Sequence, residues 1–221
     1  MIARDLISEL ILPLRTSDTG NVALSWMDEL RISHLPIVNN ESFLGLISET
    51  DIMNMNEMDE PLGNHILTLS RPYVLQHQHL FDVVRVATGM QLTLVPVLDD
   101  QHRYIGSITQ GRLLEEIAQI GSIGQPGGII VLEMNLVDYS MHEISRIVES
   151  NDAKVLSCHS RTYDESSKVQ VTLKINKIDV SPVIQTFHRY EYVVSATYSE
   201  ENNFKDLITE RFGSLMNYLS I

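Results

Sequence analysis

The sequence contains His34-Leu-Pro-Ile-Val38 followed by Gly45-Leu-Ile-Ser-Glu-Thr-Asp51, and about 60 residues later Leu94-Val-Pro-Val-Leu98 followed by Gly106-Ser-Ile-Thr-Gln-Gly-Arg112. In both copies an apolar segment with helical spacing comes first, then a strand, a polar turn, a second strand and the start of a helix. Two copies in the same order indicate an internal repeat, which predicts two equivalent α+β subdomains.

Local signals sharpen this prediction. Asp18-Thr19 offers side-chain oxygens that can cap the first helix. Proline in a strand has no N–H for the ladder, so Pro36 and Pro96 predict matching edge positions. Each repeat has one apolar face, and we expect the two faces to pack together into one core.

The order of helix, H-L-P-[IV]-V strand, turn, G-[LI]-I-[ST]-x-x-D and helix resembles the CBS repeat, and the tandem resembles the CBS pair called a Bateman module. The resemblance covers residues 1–120, with repeats at about 1–60 and 61–120. It implies a regulatory protein that holds an adenosine-type ligand, such as AMP, ADP, ATP or S-adenosylmethionine, between the repeats.

Carried over to this chain, the resemblance makes Asp51 the acceptor for ribose hydroxyls and Ser48 a donor on the phosphate side. It also places Leu35, Pro36 and the strand near Pro13 against the base. An alternative from the residues alone is that Ser48 and Asp51 simply cap the first turn of a helix.

The second copy departs from the pattern because Arg112 stands where the ribose-binding Asp would be, although Thr109 keeps the hydroxyl. Guanidinium has no acceptor lone pair, so the cleft formed by the second copy is not expected to bind ribose in the usual way. Arg112 could reach phosphates in the neighbouring cleft, or pair with Glu115 or Glu116 on its own helix; the pairing is favoured.

After a glycine-rich linker at 121–128, residues 129–200 predict the order βαββαβ, which is typical of a ferredoxin-like domain. Ser181 is expected to cap its second helix, with Pro182 at the first helical position. In this position the domain resembles an ACT domain, and the whole chain resembles bacterial CBS/ACT proteins of the acetoin-utilisation type. Residues 201–221 predict an amphipathic helix.

ACT domains often bind amino acids at a D-x-P-G-type turn. Here Asp138 is present, but Ser140 and Met141 replace the proline and glycine. Amino-acid binding therefore becomes doubtful, and a structural or dimerising role is the expectation.

The composition of the chain disfavours several classes of partner and location. The net charge of −13 disfavours nucleic acid as a partner, and one cysteine, Cys158, predicts a thiol in a reducing compartment. Without a signal peptide or an apolar run long enough to span a membrane, we expect a cytoplasmic protein. His77 and His79 have a spacing compatible with a metal, but without further ligands they are expected to be loop residues.

No nucleophile, phosphate-loop or metalloprotease motif occurs in the sequence. We therefore expect a homodimeric, non-catalytic sensor that needs no cofactor and regulates a protein partner. The alternative is a scaffold that has lost its ligands and works by docking on an enzyme or transporter.

Overall fold

The structure is a computed structural model, and it describes residues 1–65, 69–163 and 167–199. The chain divides into two compact units, Met1–Glu116 and Ile117–Ile221. We describe each unit by itself.

The first unit contains the repeat. Its first half comprises α1 (Gly20–Leu30), β1 (His34–Asn39), β2 (Ser42–Ser48) and α2 (Glu49–Met53). Its second half comprises β3 (Val74–Leu75), α3 (Leu80–Gly89), β4 (Leu94–Leu98), β5 (Tyr104–Thr109) and α4 (Gln110–Ile120), which crosses the unit boundary. Ala3–Leu6 and Leu62–Asn64 are short 3-10 helices.

The two hairpins share an irregularity. The antiparallel register shifts between Ile37 and Val38 in the first hairpin and between Val97 and Leu98 in the second. Opposite each shift lies a glycine with positive φ, Gly45 at 152° and Gly106 at 151°. Because L side chains rarely adopt this φ, the bulge accounts for a glycine at the same place in both copies.

Each hairpin is covered by the segment that precedes the other repeat. The Ser8 N–H donates to the Ser107 carbonyl at 2.9 Å, and the Leu46 N–H donates to the Ser70 carbonyl at 2.9 Å. At Gly45, an added Cβ would lie 2.6 Å from Leu69 Cβ. The two repeats therefore bury their apolar faces in one shared hydrophobic cluster, as expected.

The predicted edge positions are only half correct. β1 pairs with β2 alone within its sheet, and its open side meets Leu14, whose N–H donates to the Pro36 carbonyl at 2.8 Å. β4, in contrast, is the central strand of β3-β4-β5. Pro96 is tolerated there because β3 pairs only with Val97 and Leu98, so no ladder donor is needed from the proline.

The predicted cap of α1 is Thr19 alone. Its hydroxyl accepts the Val22 N–H at 3.4 Å, whereas the Asp18 carboxylate accepts the Arg15 N–H at 2.7 Å. Asp18 therefore stabilises the preceding turn rather than the helix.

The second unit has the predicted element order. It comprises β6 (Gly128–Asn135), α5 (Met141–Glu149), β7 (Val155–Thr162), β8 (Lys168–Ile175), α6 (Ser181–Arg189) and β9 (Val193–Tyr198). The sheet order is β7-β8-β6-β9 with antiparallel pairing throughout, which is the split arrangement expected for βαββαβ. Buried aliphatic residues and Phe187 form its own core.

One predicted cap in this unit is wrong. Ser181 is the first residue of α6, the N-cap position belongs to Val180, and the Ser181 N–H donates to the Asp179 carboxylate at 3.0 Å. The predicted linker at 121–128 ends within β6, because Gly128 is the first residue of that strand. The predicted helix at 201–221 lies outside the described residues.

Within the described residues, no helix is long and apolar enough to cross a membrane.

Candidate functional site

Ser48 and Asp51 meet at the junction of β2 and α2. The Asp51 N–H donates to Ser48 Oγ at 3.1 Å. In return, Asp51 Oδ2 accepts the Ser48 N–H at 2.9 Å and the Ser48 hydroxyl at 2.7 Å. This reciprocal pattern is a capping box, so the helix-capping interpretation of the two residues is confirmed.

The cap uses only one oxygen of the carboxylate. Asp51 is exposed, and its Oδ1 accepts no hydrogen bond from the residues that the structure describes. A carboxylate oxygen can accept two hydrogen bonds, so Oδ1 remains available to an incoming donor. Ser48 is less available as a donor, because its hydroxyl proton is directed to Asp51.

The residues predicted to touch a base have different surroundings. Half-buried Pro13 precedes Leu14, whose N–H donates to the carbonyl of buried Pro36, so the structure brings Pro13 close to β1. Leu35 is completely buried in the hydrophobic cluster. The predicted contact between Leu35 and a base is therefore not available in this conformation.

In the second repeat, Thr109 and Arg112 occupy the corresponding junction. Thr109 Oγ1 accepts the Arg112 N–H at 3.2 Å, which repeats the cap made by Ser48. The Arg112 guanidinium donates to Glu115 Oε2 at 3.2 Å and forms an ion pair with buried Glu116. The structure thus shows the favoured alternative, in which Arg112 pairs along its own helix.

A contact that we did not predict joins the starts of β1 and β4. The Ser33 N–H donates to Thr93 Oγ1 at 3.0 Å, Thr93 Oγ1 lies 3.0 Å from His34 Nδ1, and the Thr93 N–H reaches the same nitrogen at 3.4 Å. Two residues at equivalent repeat positions, Ser33 and Thr93, therefore join the halves of the unit. The 60-residue offset aligns these positions, but the pattern alone does not show that they touch.

His34 belongs to the electrostatic surroundings of the candidate site. Burial lowers the pKa of His34, while the negative charge of Asp51 acts in the opposite direction. Since Thr93 Oγ1 already accepts the Ser33 N–H, its hydroxyl hydrogen is free to donate to Nδ1. This arrangement favours a neutral ring whose proton is on Nε2.

His77 and His79 each contact a different partner. His79 Nδ1 accepts the Phe81 N–H at 3.2 Å and thereby caps α3, a role that the sequence analysis missed. His77 Nδ1 lies 3.3 Å from the Asp100 carboxylate. Across 1–65, 69–163 and 167–199, no group of three or more His, Cys, Asp or Glu side chains is arranged to hold a metal ion.

In the second unit, the predicted ligand turn is organised as a helix start. Ser140 Oγ accepts the Glu143 N–H at 3.3 Å, so α5 begins where a glycine turn would be needed. The Asp138 carboxylate accepts a hydrogen bond from the Asn135 side chain at 2.9 Å. Burial raises the pKa of the half-buried Cys158 thiol, against the effect of its hydrogen bond with Tyr139.

Residues 4–56 match the family model of the CBS domain. This range contains α1, β1, β2 and α2, and therefore Ser48 and Asp51. The match therefore covers most of the first repeat.

Several solved structures are similar in fold. A CBS domain pair/ACT domain protein from Thermotoga maritima has 17% identity and a TM-score of 0.48, covering 54% of this chain and 98% of its own. CBSX2 from Arabidopsis thaliana has 19% identity and a TM-score of 0.45, covering 54% and 95%. CBSX2 in complex with AMP has 21% identity and a TM-score of 0.46, covering 54% and 97%.

Proposed function

We propose that the first unit is a pair of CBS repeats that binds an adenosine-containing ligand, and that the chain is a non-catalytic regulatory protein. The observation that carries the proposal is the duplicated bulged hairpin: its first copy lies in the range that matches the CBS domain, and its second copy has the same shift and the same glycine. Two such copies with a shared core supply the paired arrangement that the function requires.

Asp51 is the proposed ribose acceptor. Asp51 is exposed and its Oδ1 accepts no hydrogen bond from the described residues, while Ser48 holds Oδ2 and so fixes the orientation of the side chain. An oriented charged acceptor loses little conformational freedom on binding. Half-buried Pro13, beside the Pro36 carbonyl, is the proposed contact of the base, and AMP, ADP, ATP and S-adenosylmethionine are the candidate ligands.

The second junction is proposed not to bind ribose. Arg112 lacks an acceptor and is held by Glu115 and Glu116. The pair would therefore bind one nucleotide for each chain, with Asp51 rather than Arg112 at the sugar.

The second unit is proposed to be an ACT-like domain with a structural or dimerising role. Its split βαββαβ arrangement supports the assignment, while the helix start at Ser140 leaves no glycine turn for an amino-acid ligand. We expect the chain to be a homodimer that passes its response to a protein partner.

Calorimetric titration of the four candidate ligands tests the proposal. The variant Asp51→Asn keeps one oxygen for the Ser48 cap but replaces the other with a donor. We expect its affinity to fall at least about tenfold, because a hydrogen bond to a charged group contributes about 1.5–3 kcal/mol.

Asp82→Asn is the matched control, since Asp82 is a first-turn aspartate of α3 that pairs with Arg85. It should bind like the unaltered protein. The proposal is overturned if the unaltered protein binds none of the four ligands, or if Asp51→Asn binds them as tightly as the unaltered protein does. Either result would favour the scaffold alternative.

A further inference from the structure

The first unit has a second crevice, of about 480 Å³, at the turn between β4 and β5. One wall is the amino-terminal arm with Arg4 and Ile7, another is Gln76 after β3, and the third is the turn itself with Arg103. This volume lies within the range of small-molecule sites in proteins. Neither Ser48 nor Asp51 lines the crevice, so it is separate from the proposed nucleotide site.

Arg4 brings an unpaired cation to this crevice. Its side chain is exposed and makes no hydrogen bond or ion pair to any residue in the described part of the chain. Its backbone is nevertheless fixed, because the Arg4 N–H donates to the Gln76 carbonyl at 3.0 Å and the Ala3 N–H donates to the Gln78 carbonyl at 2.8 Å. The guanidinium is therefore attached to a rigid wall.

Arg103 also lines the crevice and is held in place by Asp99, another lining residue. The almost completely buried Asp99 carboxylate accepts the N–H groups of Gln101 at 2.9 Å and Arg103 at 2.8 Å, and also the Arg103 Nε–H at 2.8 Å. Burial alone would raise the pKa of Asp99, but these donors outweigh it and lower the pKa. Asp99 thus stays ionised as the anchor of Arg103.

The anchored guanidinium still has donors that make no hydrogen bond to the described residues. Arg103 Nη1 forms an ion pair with exposed Glu41 at 3.6 Å, which is too far for a hydrogen bond. Nearby, Gln101 accepts only a long contact of 3.5 Å from Arg103, so its amide NH₂ is also free within the described residues. Ile7 and Ile105 supply apolar surface beside these donors.

We propose that this crevice binds a small organic oxyanion, whose phosphate or carboxylate group lies between the guanidinium groups of Arg4 and Arg103. Guanidinium is the side chain best suited to such groups, because its planar donors match two oxygens at once. The turn of the first hairpin has no arginine, as Asn39-Asn-Glu-Ser42 replaces Asp99-Asp-Gln-His-Arg103. The site is therefore particular to the second repeat.

Nuclear magnetic resonance titration of the full chain tests this proposal, with inorganic phosphate and citrate as probes and chloride added to hold ionic strength constant. We expect the amides of Gln101, Arg103 and Ile105 to shift in one saturable process. In Arg4→Ala the affinity should fall about tenfold, because one charge-assisted contact is lost. The stronger of the two probes identifies phosphate or carboxylate as the preferred group.

Arg85→Ala is the matched control, because Arg85 is an exposed arginine on α3 that does not line the crevice. Its affinity for the probes should be unchanged. The proposal is overturned if neither probe shifts the three amides, if Arg4→Ala binds like the unaltered protein, or if Arg85→Ala weakens binding equally. The last result would indicate a diffuse charge effect.

Discussion

At the scale of single residues, His34 links the junction of the two repeats to the candidate site. Its Nδ1 contacts both the hydroxyl and the N–H of Thr93, and the negative charge of Asp51 acts on the pKa of its ring. A proton on Nδ1 would remove the acceptor for the Thr93 N–H and reverse the direction of the bond with Thr93 Oγ1. The contact between the repeats is therefore sensitive to protonation of this ring.

His34 predicts a pH dependence of stability. Because its pKa is lower in the folded chain than in the unfolded chain, the unfolded chain binds the proton more readily. The contribution of His34 to the free energy of unfolding is therefore fully present above the pKa of the unfolded chain. It is lost as the pH falls through the lower pKa of the folded chain. His34→Gln keeps an acceptor for Thr93 but does not titrate. Between pH 7.5 and pH 5.5, about a factor of 100 in proton activity, its unfolding free energy should therefore decrease less than that of the unaltered protein. Chemical denaturation at the two pH values measures the difference.

His142→Gln is the control, because His142 is exposed on α5 in the second unit. Its pH dependence should match that of the unaltered protein. If His34→Gln retains the full loss of stability at low pH, the ring of His34 does not govern the contact.

How far the site could be predicted differs from residue to residue. The spacing of Ser48 and Asp51 was sufficient to predict a cap, because capping depends only on neighbours along the chain. The burial of Leu35 could not be predicted from the sequence of β1. Four consecutive residues of this strand are buried, and the cluster that contains Leu35 includes residues distant in the sequence. The partner of His34 is 59 residues away, and only folding brings the two together.

At the scale of elements, α2 and α4 begin with the same cap but differ one turn later. Repeat alignment places Glu116 at the position of Met55, which packs against the core in the first half. Glu116 is almost completely buried; its Oε1 pairs with Arg112, and its Oε2 has no hydrogen-bond partner among the described residues. A buried carboxylate with one partner depends strongly on that partner.

Arg112→Ala should therefore destabilise the first unit by about 1–3 kcal/mol, the cost of leaving a buried charged group unsatisfied. In the double variant Arg112→Ala/Glu116→Met, position 116 acquires the apolar residue found at the equivalent position just after α2, and most of this stability should return. Urea unfolding followed by the fluorescence of Trp26 measures both. A double variant as unstable as Arg112→Ala would show that Glu116 is not the cause.

The elements themselves were largely predictable, because each depends on local spacing. Both hairpins, the helices before them and the βαββαβ order follow from apolar periodicity and from the repeat. The exceptions depend on tertiary context: β4 is central because β3 reaches it from the preceding segment, and α6 begins at Ser181 because Asp179 bonds its N–H.

At the scale of the whole molecule, the chain has two hydrophobic cores that share no residue. One extends from Ala3 to Leu113, and the other from Ile130 to Phe187. Each unit thus has the burial that independent cooperative unfolding requires. The single tryptophan, Trp26, packs against the first core, so its fluorescence reports on that unit alone.

A nucleotide bound at Asp51 should therefore stabilise the transition that Trp26 reports. At a free AMP concentration 100 times the dissociation constant, the expected gain is about 2.7 kcal/mol by mass action. Hydrogen exchange at Leu132, a buried residue of β6, should slow far less, because its protection depends on the second core. In Asp51→Asn, with a dissociation constant about ten times higher, the gain at Trp26 should fall to about 1.4 kcal/mol at the same AMP concentration. Equal stabilisation at Trp26 and Leu132 would instead mean that the two cores unfold together, and a gain at Leu132 alone would place the nucleotide in the second unit.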